Sequence, residues 1–431
     1  MLVISNAVLR NDNGFGNTFA NIFRDIPGVE LASIYCRSGV PEPGICNRYF
    51  KITPSMLLRN LINKNNKAGE EVAPRTFTRD DCVVQNKCVT RSLVWFARTR
   101  RWQVFFWLRE LIWKLGCWKC PELDKFIRDA EPDLIFLPLY DCYYTNDIGL
   151  YVKERTGAEI VLYAPDDVYS LKQWSLSPLY WIDRFVKRRK VRLVAAKARM
   201  LYVISRQQQV EYQDIFELPC KILFKCGDFL GEPPVKQWIG HPMKFVFTGN
   251  IGAGRWKSLA KIGDALRTLN QNGIRAQLEI YTLTPLTRIM RRKLDDGRNV
   301  FLKGSLDARD VAPVQRDADI LVHVESFERK HVLATRLSFS TKIVDYLQQA
   351  RCILAVGSRE CASIDYIERN SAGVVATSQS EVYENVKMLV DNPALVREYG
   401  HNAYACGRRH HQREEIKGML SADLFSIINQ N

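Results

Sequence analysis

The sequence lacks any uninterrupted apolar run approaching a membrane span, so no crossing helix is expected. Its first residues, "MLVISNAVLRNDNGFG", have neither a basic n-region nor a long apolar h-region, so no signal peptide is expected there. Twelve cysteines are scattered without framework spacing. That excludes a disulfide scaffold and implies reduced thiols in a cytosol. Cys117 and Cys120 form a CxxC, but no second pair stands at metal-ligand spacing, since Cys82 and Cys88 are too far apart. No metal site is expected. Short-period repeats and low-complexity blocks are also missing.

What is present is ordinary bulk with an unusual charge. The 431 residues are 46% hydrophobic and 25% charged, enough for two domains with sizeable cores. The net charge of +15 calls for an anionic partner: nucleic acid, anionic lipid or a phosphate-bearing substrate.

Short apolar runs alternate with longer amphipathic ones. "LVIS", "ELASIY", "DLIFLPL", "EIVLYA" and "RMLYVIS" read as strands in the first half, several of them Val/Ile/Leu-rich as in sheets covered on both faces. "CGDFLGEPPVKQWIGHPM" is rich in Gly and Pro and without periodicity, and reads as a linker. The rhythm then restarts with "KFVFTGN", "AQLEIYT", "NVFLKGS", "DILVHVES", "CILAVG" and "GVVAT". The expected architecture is α/β: two Rossmann-like, doubly wound domains over residues 1–230 and 244–400, a linker at 231–243, and a helical tail at 401–431 crossing back to the first domain. The two sheets would face each other across a cleft.

Two stretches of the second half can hold an anion. After "KFVFTGN" come Ile251, Gly252, Ala253, Gly254, Arg255, Trp256 and Lys257. Glycines let backbone N–H groups approach an anion, and Arg255 and Lys257 add charge. The second stretch is "FSTKIVDYL". It places Lys342 in the first turn of a helix, beside the positive end of the dipole, where a cation is unfavourable unless an anion lies next to it. Ser340 or Thr341 would cap this helix, and Asp345 lies on the Lys342 face, placed to accept hydrogen bonds from a ribose diol. The bland alternatives are a tight strand–helix turn and a capped helix with a surface Lys–Asp pair. The two termini together favour a nucleoside diphosphate.

With these residues in view, the chain resembles the retaining, group-4 type of GT-B glycosyltransferase that builds bacterial capsule and O-antigen polysaccharides. The resemblance covers most of the chain and is most specific over "FVFTGNIGAGRWKSL", "RDADILVHVES" and "LSFSTKIVDYLQQARCILAVG". It implies that Arg255 and Lys257 meet the donor diphosphate, that the backbone at Ser340 and Thr341 lies against the same phosphates, beside Lys342, and that Asp345 takes the donor ribose. That family commonly carries a glutamate eight positions before this acid. Here that position is Leu337, and either Glu328 replaces the glutamate or nothing does. "DAD" at Asp317–Asp319 spells the metal triplet of a different glycosyltransferase fold, but it ends a helix here rather than following a strand.

In the first half, "NDNGFGNTFA" resembles the family's cleft loop, with Gly14 and Gly16 allowing close approach and Asn13 and Thr18 donating hydrogen bonds. Asp166 and Asp167 follow a strand, where a carboxylate would orient an acceptor hydroxyl or take its proton; the alternative is an Asp-rich loop capping the next helix. The expected reaction moves a sugar from a nucleotide-sugar donor to a glycan hydroxyl with retention, without a cofactor or metal.

"RSLVWFARTRRWQVFFWLRELIWKLGCWK" holds five of the nine tryptophans and seven cations against one acid. Its interleaved aromatic and basic residues, Trp95, Arg101, Trp102, Phe106 and Trp113 among them, suit an anionic membrane surface. A second basic helix begins at Asp183. The expected setting is cytoplasmic and peripheral on the inner face of the cell membrane, with a polyprenyl-linked acceptor and no nucleic acid. A nucleotide-sugar epimerase, a nucleic-acid-binding protein and an inactive scaffold of the same fold are the alternatives.

Overall fold

The computed structural model describes residues 1–10, 14–75 and 103–430. The chain divides into two compact units, Met1–Leu223 with Lys417–Asn431, and Phe224–Ile416.

The first unit contains β1 (Leu2–Ser5), α1 (Gly14–Phe23), β2 (Ala32–Tyr35), β3 (Arg48–Lys51), α2 (Pro54–Ile62) and β4 (Glu70–Glu71). It continues with α3 (Gln103–Leu115), α4 (Pro121–Ala130), β5 (Leu134–Pro138), α5 (Tyr144–Thr156), β6 (Glu159–Ala164), α6 (Pro178–Ala195), β7 (Ala198–Val203), α7 (Arg206–Phe216) and β8 (Cys220–Ile222). The eight strands run in the order β4-β3-β2-β1-β5-β6-β7-β8. All pair in parallel except β4, which is antiparallel to β3. Every residue of β1, β5 and β6 is buried, as the continuous apolar runs require for a sheet covered on both faces.

The second unit contains β9 (Met243–Thr248), α8 (Arg255–Leu269), β10 (Ala276–Tyr281), α9 (Arg288–Leu294), β11 (Val300–Gly304), α10 (Ala308–Asp317) and β12 (Ile320–Val324). Then come α11 (Arg329–Thr335), α12 (Lys342–Gln348), β13 (Cys352–Val356), α13 (Ala362–Arg369), β14 (Val374–Ala376), α14 (Glu381–Asp391) and α15 (Pro393–His411). Its sheet is wholly parallel, in the order β11-β10-β9-β12-β13-β14. Phe245, Leu278, Val322 and Leu354 are at the centre of its core.

The final helix, α16 (Arg413–Ile428), joins the first unit from Lys417 onward. The Lys417 ammonium donates to Arg24 O, and Asp423 accepts from Tyr202 Oη at 2.8 Å and pairs with Lys221 at 2.5 Å. The divisions therefore fall at 223/224 and 416/417. Residues 231–243, expected as a linker, lie inside the second unit.

In each sheet the strand order reverses between the first strand and its neighbour, β1 and β5 in one, β9 and β12 in the other. Loops leaving the carboxyl ends of such a pair diverge to opposite faces and leave a crevice there.

Candidate donor and acceptor sites

The second unit gathers its charged residues at the β9/β12 switch. The loop after β9 turns tightly through Ala253 (φ 51°) and Gly254 (φ 76°) into α8. A Cβ on Gly254 would lie 2.5 Å from Ser326 Oγ, so glycine is needed for this loop to approach the one after β12. The N–H groups of Arg255, Trp256 and Lys257 are returned to the carbonyls of Gly252, Ile251 and Gly254. Gly252 N and Ile251 N donate to Asn250 Oδ1 and Thr284 Oγ1. Five N–H groups of this turn are thus committed to protein acceptors, and the turn also brings the cations Arg255 and Lys257 to the site.

Arg255 makes a two-pronged contact to Glu325, Nε to Oε2 at 3.1 Å and Nη2 to Oε1 at 2.9 Å. Glu325 is buried at the end of β12, and its carbonyl accepts from Ser258 Oγ at 2.6 Å. Glu328, the expected catalytic carboxylate, is 45% exposed. It pairs with Lys257 and lies 3.5 Å from His331. The Lys257 ammonium, with a small contribution from His331, holds its carboxyl below the ordinary range. Leu337 is fully buried, so the family's usual glutamate position is occupied here by a core side chain.

Lys342 opens α12 and reaches back to the end of β9. Its ammonium donates to Thr248 O at 3.1 Å and lies 5.5 Å from the centre of the Phe247 ring. Burial, then the nearby Arg255 guanidinium, pushes this lysine down to about 8. His323, buried in β12, is held at about 3 by burial, Arg255 and Lys342, and so is neutral. Asp345 pairs with Lys225, Nζ to Oδ1 at 2.5 Å. Of these cations, Arg255, Lys257 and Lys225 each have a carboxylate. Lys342 has none among the described residues.

The two stretches singled out in the sequence thus meet: Arg255 and Lys342 act on each other and share Glu325 as a neighbour. Thr341 precedes α12 with helical torsions and makes no side-chain cap. Ser340 N is committed to Ser363 Oγ at 2.9 Å, so it is not offered to a phosphate.

Sequence reasoning did not single out Gly249 or Lys225. Gly249 has φ 145°, and a Cβ there would lie 1.8 Å from Lys342 Nζ. Gly249→Ala is expected to displace the ammonium and strain the turn, lowering stability by about 1–3 kcal/mol, which scanning fluorimetry checks.

The first unit has a recess at its own switch point. Asn6, Arg37, Tyr140 and Asp141 enter it from the strand ends, Pro165–Val168 from the loop after β6, Phe106 and Arg109 from α3, and Tyr180, Asp183, Arg184 and Lys187 from α6. The two candidate aspartates separate here. Asp166 is exposed on the recess. Asp167 is buried and accepts from Tyr169 N, Ser170 N, Tyr212 Oη and Arg184. It fastens its loop to α6 and α7. Gly14, Gly16 and Thr18 lie in the opening turns of α1, with Gly16 and Thr18 buried. Asn13 lies outside the described residues.

Of the expected membrane-facing residues, Trp95, Arg101 and Trp102 lie outside the described residues. Phe106 is half-buried with Arg109 over its ring at 5.4 Å. Trp113 is 2% exposed and stacks on Tyr144, centroids 4.2 Å apart, so it is a core residue. Among the described residues no three His, Cys, Asp or Glu side chains are grouped to hold a metal.

No family model matches the chain, and no curated protein matches it in sequence. Solved structures do. The Anabaena protein HepE, solved in complex with UDP and glucose, covers 99% of both chains at 13% identity with a TM-score of 0.59. Sucrose-phosphate synthase from Thermosynechococcus elongatus covers 99% of both at 11% identity and 0.58. WaaG, a glycosyltransferase involved in lipopolysaccharide biosynthesis, covers 98% of both at 12% identity and 0.54. The chain has the GT-B fold. Within that fold, the charged crevice described above belongs to the second unit and the recess holding Asp166 to the first.

Proposed function

We propose that this GT-B chain is a glycosyltransferase that moves a hexose from a nucleoside-diphosphate sugar to a hydroxyl of a glycan acceptor, with retention of anomeric configuration. The observation that carries this reading is Lys342: an inward-turned ammonium at the strand switch, beside Arg255, with no carboxylate in direct contact among the described residues. A bound diphosphate supplies the missing counter-charge. The complex of HepE with UDP-glucose supports the same assignment.

In the reaction the bond from the anomeric carbon to the β-phosphate oxygen breaks, and its electron pair leaves with the diphosphate. Arg255, Lys257 and Lys342 stabilise that charge as it develops, without a required metal. The acceptor hydroxyl bonds to the anomeric carbon on the same face and releases its proton to the departing phosphate oxygen. Asp345, oriented by Lys225, takes the donor ribose. Asp166 orients the acceptor hydroxyl. The contact to the donor sugar ascribed to Glu328 passes in this reading to Glu325, which Arg255 holds in place. The acceptor is a polyprenyl-linked glycan of surface-polysaccharide type, handled at the inner face of the cell membrane.

Scanning fluorimetry of the full chain with UDP and GDP tests the donor assignment. One of them is expected to raise the melting temperature, and Arg255→Ala and Asp345→Ala are expected to abolish the rise. A full rise in both variants refutes the site.

A further inference from the structure

The helix that lines the acceptor recess also carries apolar side chains on its outward face. The face of α6 turned into the unit carries Asp183 and Arg184, together with Val191 and Val194. The outward face carries Ile182, Phe185, Val186 and, two turns further on, Leu193, with Phe185 57% exposed. The segment leading into the helix continues this surface: Trp174 is 62% and Leu176 84% exposed. A solvated helix places such side chains inward, so this face needs a non-aqueous partner.

Charge identifies the partner. Over its 18 residues α6 has six cations and one acid, Asp183, which is buried. A shallow groove on the helix is lined by Phe185, Leu193 and Ala196 together with Arg188, Arg189 and Arg192. Arg188 and Arg192 are braced on Tyr169, the first donating to its carbonyl at 2.5 Å and the second to its hydroxyl. Arg189 is exposed and makes no described ion pair. Apolar side chains flanked by guanidinium groups match the boundary between acyl chains and phosphate headgroups.

We infer that residues 171–193 seat this protein on an anionic phospholipid bilayer. Ile182, Phe185 and Leu193 enter the acyl boundary with Trp174 and Leu176, while Arg188, Arg189 and Arg192 hold headgroup phosphates. The opposite face of the same helix gives Tyr180, Asp183, Arg184 and Lys187 to the recess. The docking surface stands on geometry alone. Its purpose, keeping a lipid-linked acceptor beside the recess, rests on the transferase reading.

The test is co-sedimentation of the full chain with vesicles of phosphatidylcholine alone and of equal parts phosphatidylcholine and phosphatidylglycerol. Binding is expected only to the anionic vesicles, weakened about ten-fold or more by Phe185→Ser with Trp174→Ser, and several-fold by Arg189→Glu. The melting temperature of each variant without ligand is expected to stay at the wild-type value, which separates lost docking from lost folding. No binding to anionic vesicles, or equal binding by the variants, overturns the assignment. Displacement by inorganic phosphate also overturns it, because the arginines would then be serving a free anion. Absence of any nucleotide-induced shift bears on the transferase reading and leaves the vesicle result standing.

Discussion

Lys342→Met is expected to abolish the UDP-induced rise in melting temperature and to weaken UDP binding about 10- to 100-fold, the range for losing a charge-assisted hydrogen bond to phosphate. The protein without ligand should melt no lower than wild type. For this buried ammonium, desolvation and the Arg255 charge outweigh the neighbouring Glu325 and Asp345, so it is an electrostatic cost to the fold that methionine removes at similar volume. A lysine with only a structural role would show the reverse, a lowered melting temperature with UDP affinity little changed.

The same residue sets a pH dependence. Its value in the fold, about 8, lies below the ordinary 10.5. Below about pH 8 it is charged in both folded and unfolded chains, and its burial penalty is constant. Between about 8 and 10.5 the unfolded chain binds the extra proton, so this group's contribution to stability improves as pH rises. Diphosphate binding runs the other way, because it favours the charged ammonium. UDP affinity should fall by up to about ten-fold per pH unit above pH 8, with proton uptake on binding. Calorimetry in buffers of different ionisation enthalpy reads that uptake, and Lys342→Met should remove it.

The second large effect is on stability. Asp167→Ala leaves the Arg184 guanidinium buried without its carboxylate and removes the acceptor for Tyr169 N, Ser170 N and Tyr212 Oη. A loss of about 3–5 kcal/mol is expected, typical of breaking one side of a buried pair. Asp166→Ala, on the exposed rim one residue earlier, should change stability by about 0.5 kcal/mol or less and instead reduce transfer to the acceptor. Denaturant unfolding followed in the first unit separates the two.

Much of the fold was legible because the inner strands are apolar runs buried on both faces. Each strand expected in the second half is present. The missed strands, β3, β4 and β8, are "RYFK", "EE" and "CKI": short elements near sheet edges whose existence depends on pairing with a neighbour rather than on their own pattern. The Gly/Pro-rich stretch at 231–243 has the composition of a linker, yet the division lies elsewhere. Composition reports local chain preference, whereas a unit boundary depends on which segments pack together.

At the site, the sequence singled out Arg255, Lys257 and Lys342 but did not show how they are paired. Glu325 and Glu328 differ by three positions, and it is Glu325 that is buried and held by Arg255, at the start of α8. Trp113 illustrates the same limit. Its aromatic-basic surroundings match a membrane face, and its burial is decided by Tyr144, thirty-one positions away. Conversely, the outward apolar face of α6 is only visible once the structure shows which side of that helix is covered.

A crystal structure of the full chain with UDP is the most direct test of the donor assignment. The expected result places diphosphate oxygens about 3 Å from Lys342 Nζ and within reach of the Arg255 guanidinium, with the ribose hydroxyls on Asp345. UDP bound elsewhere, with Lys342 still donating to Thr248 O as in the ligand-free chain, contradicts it.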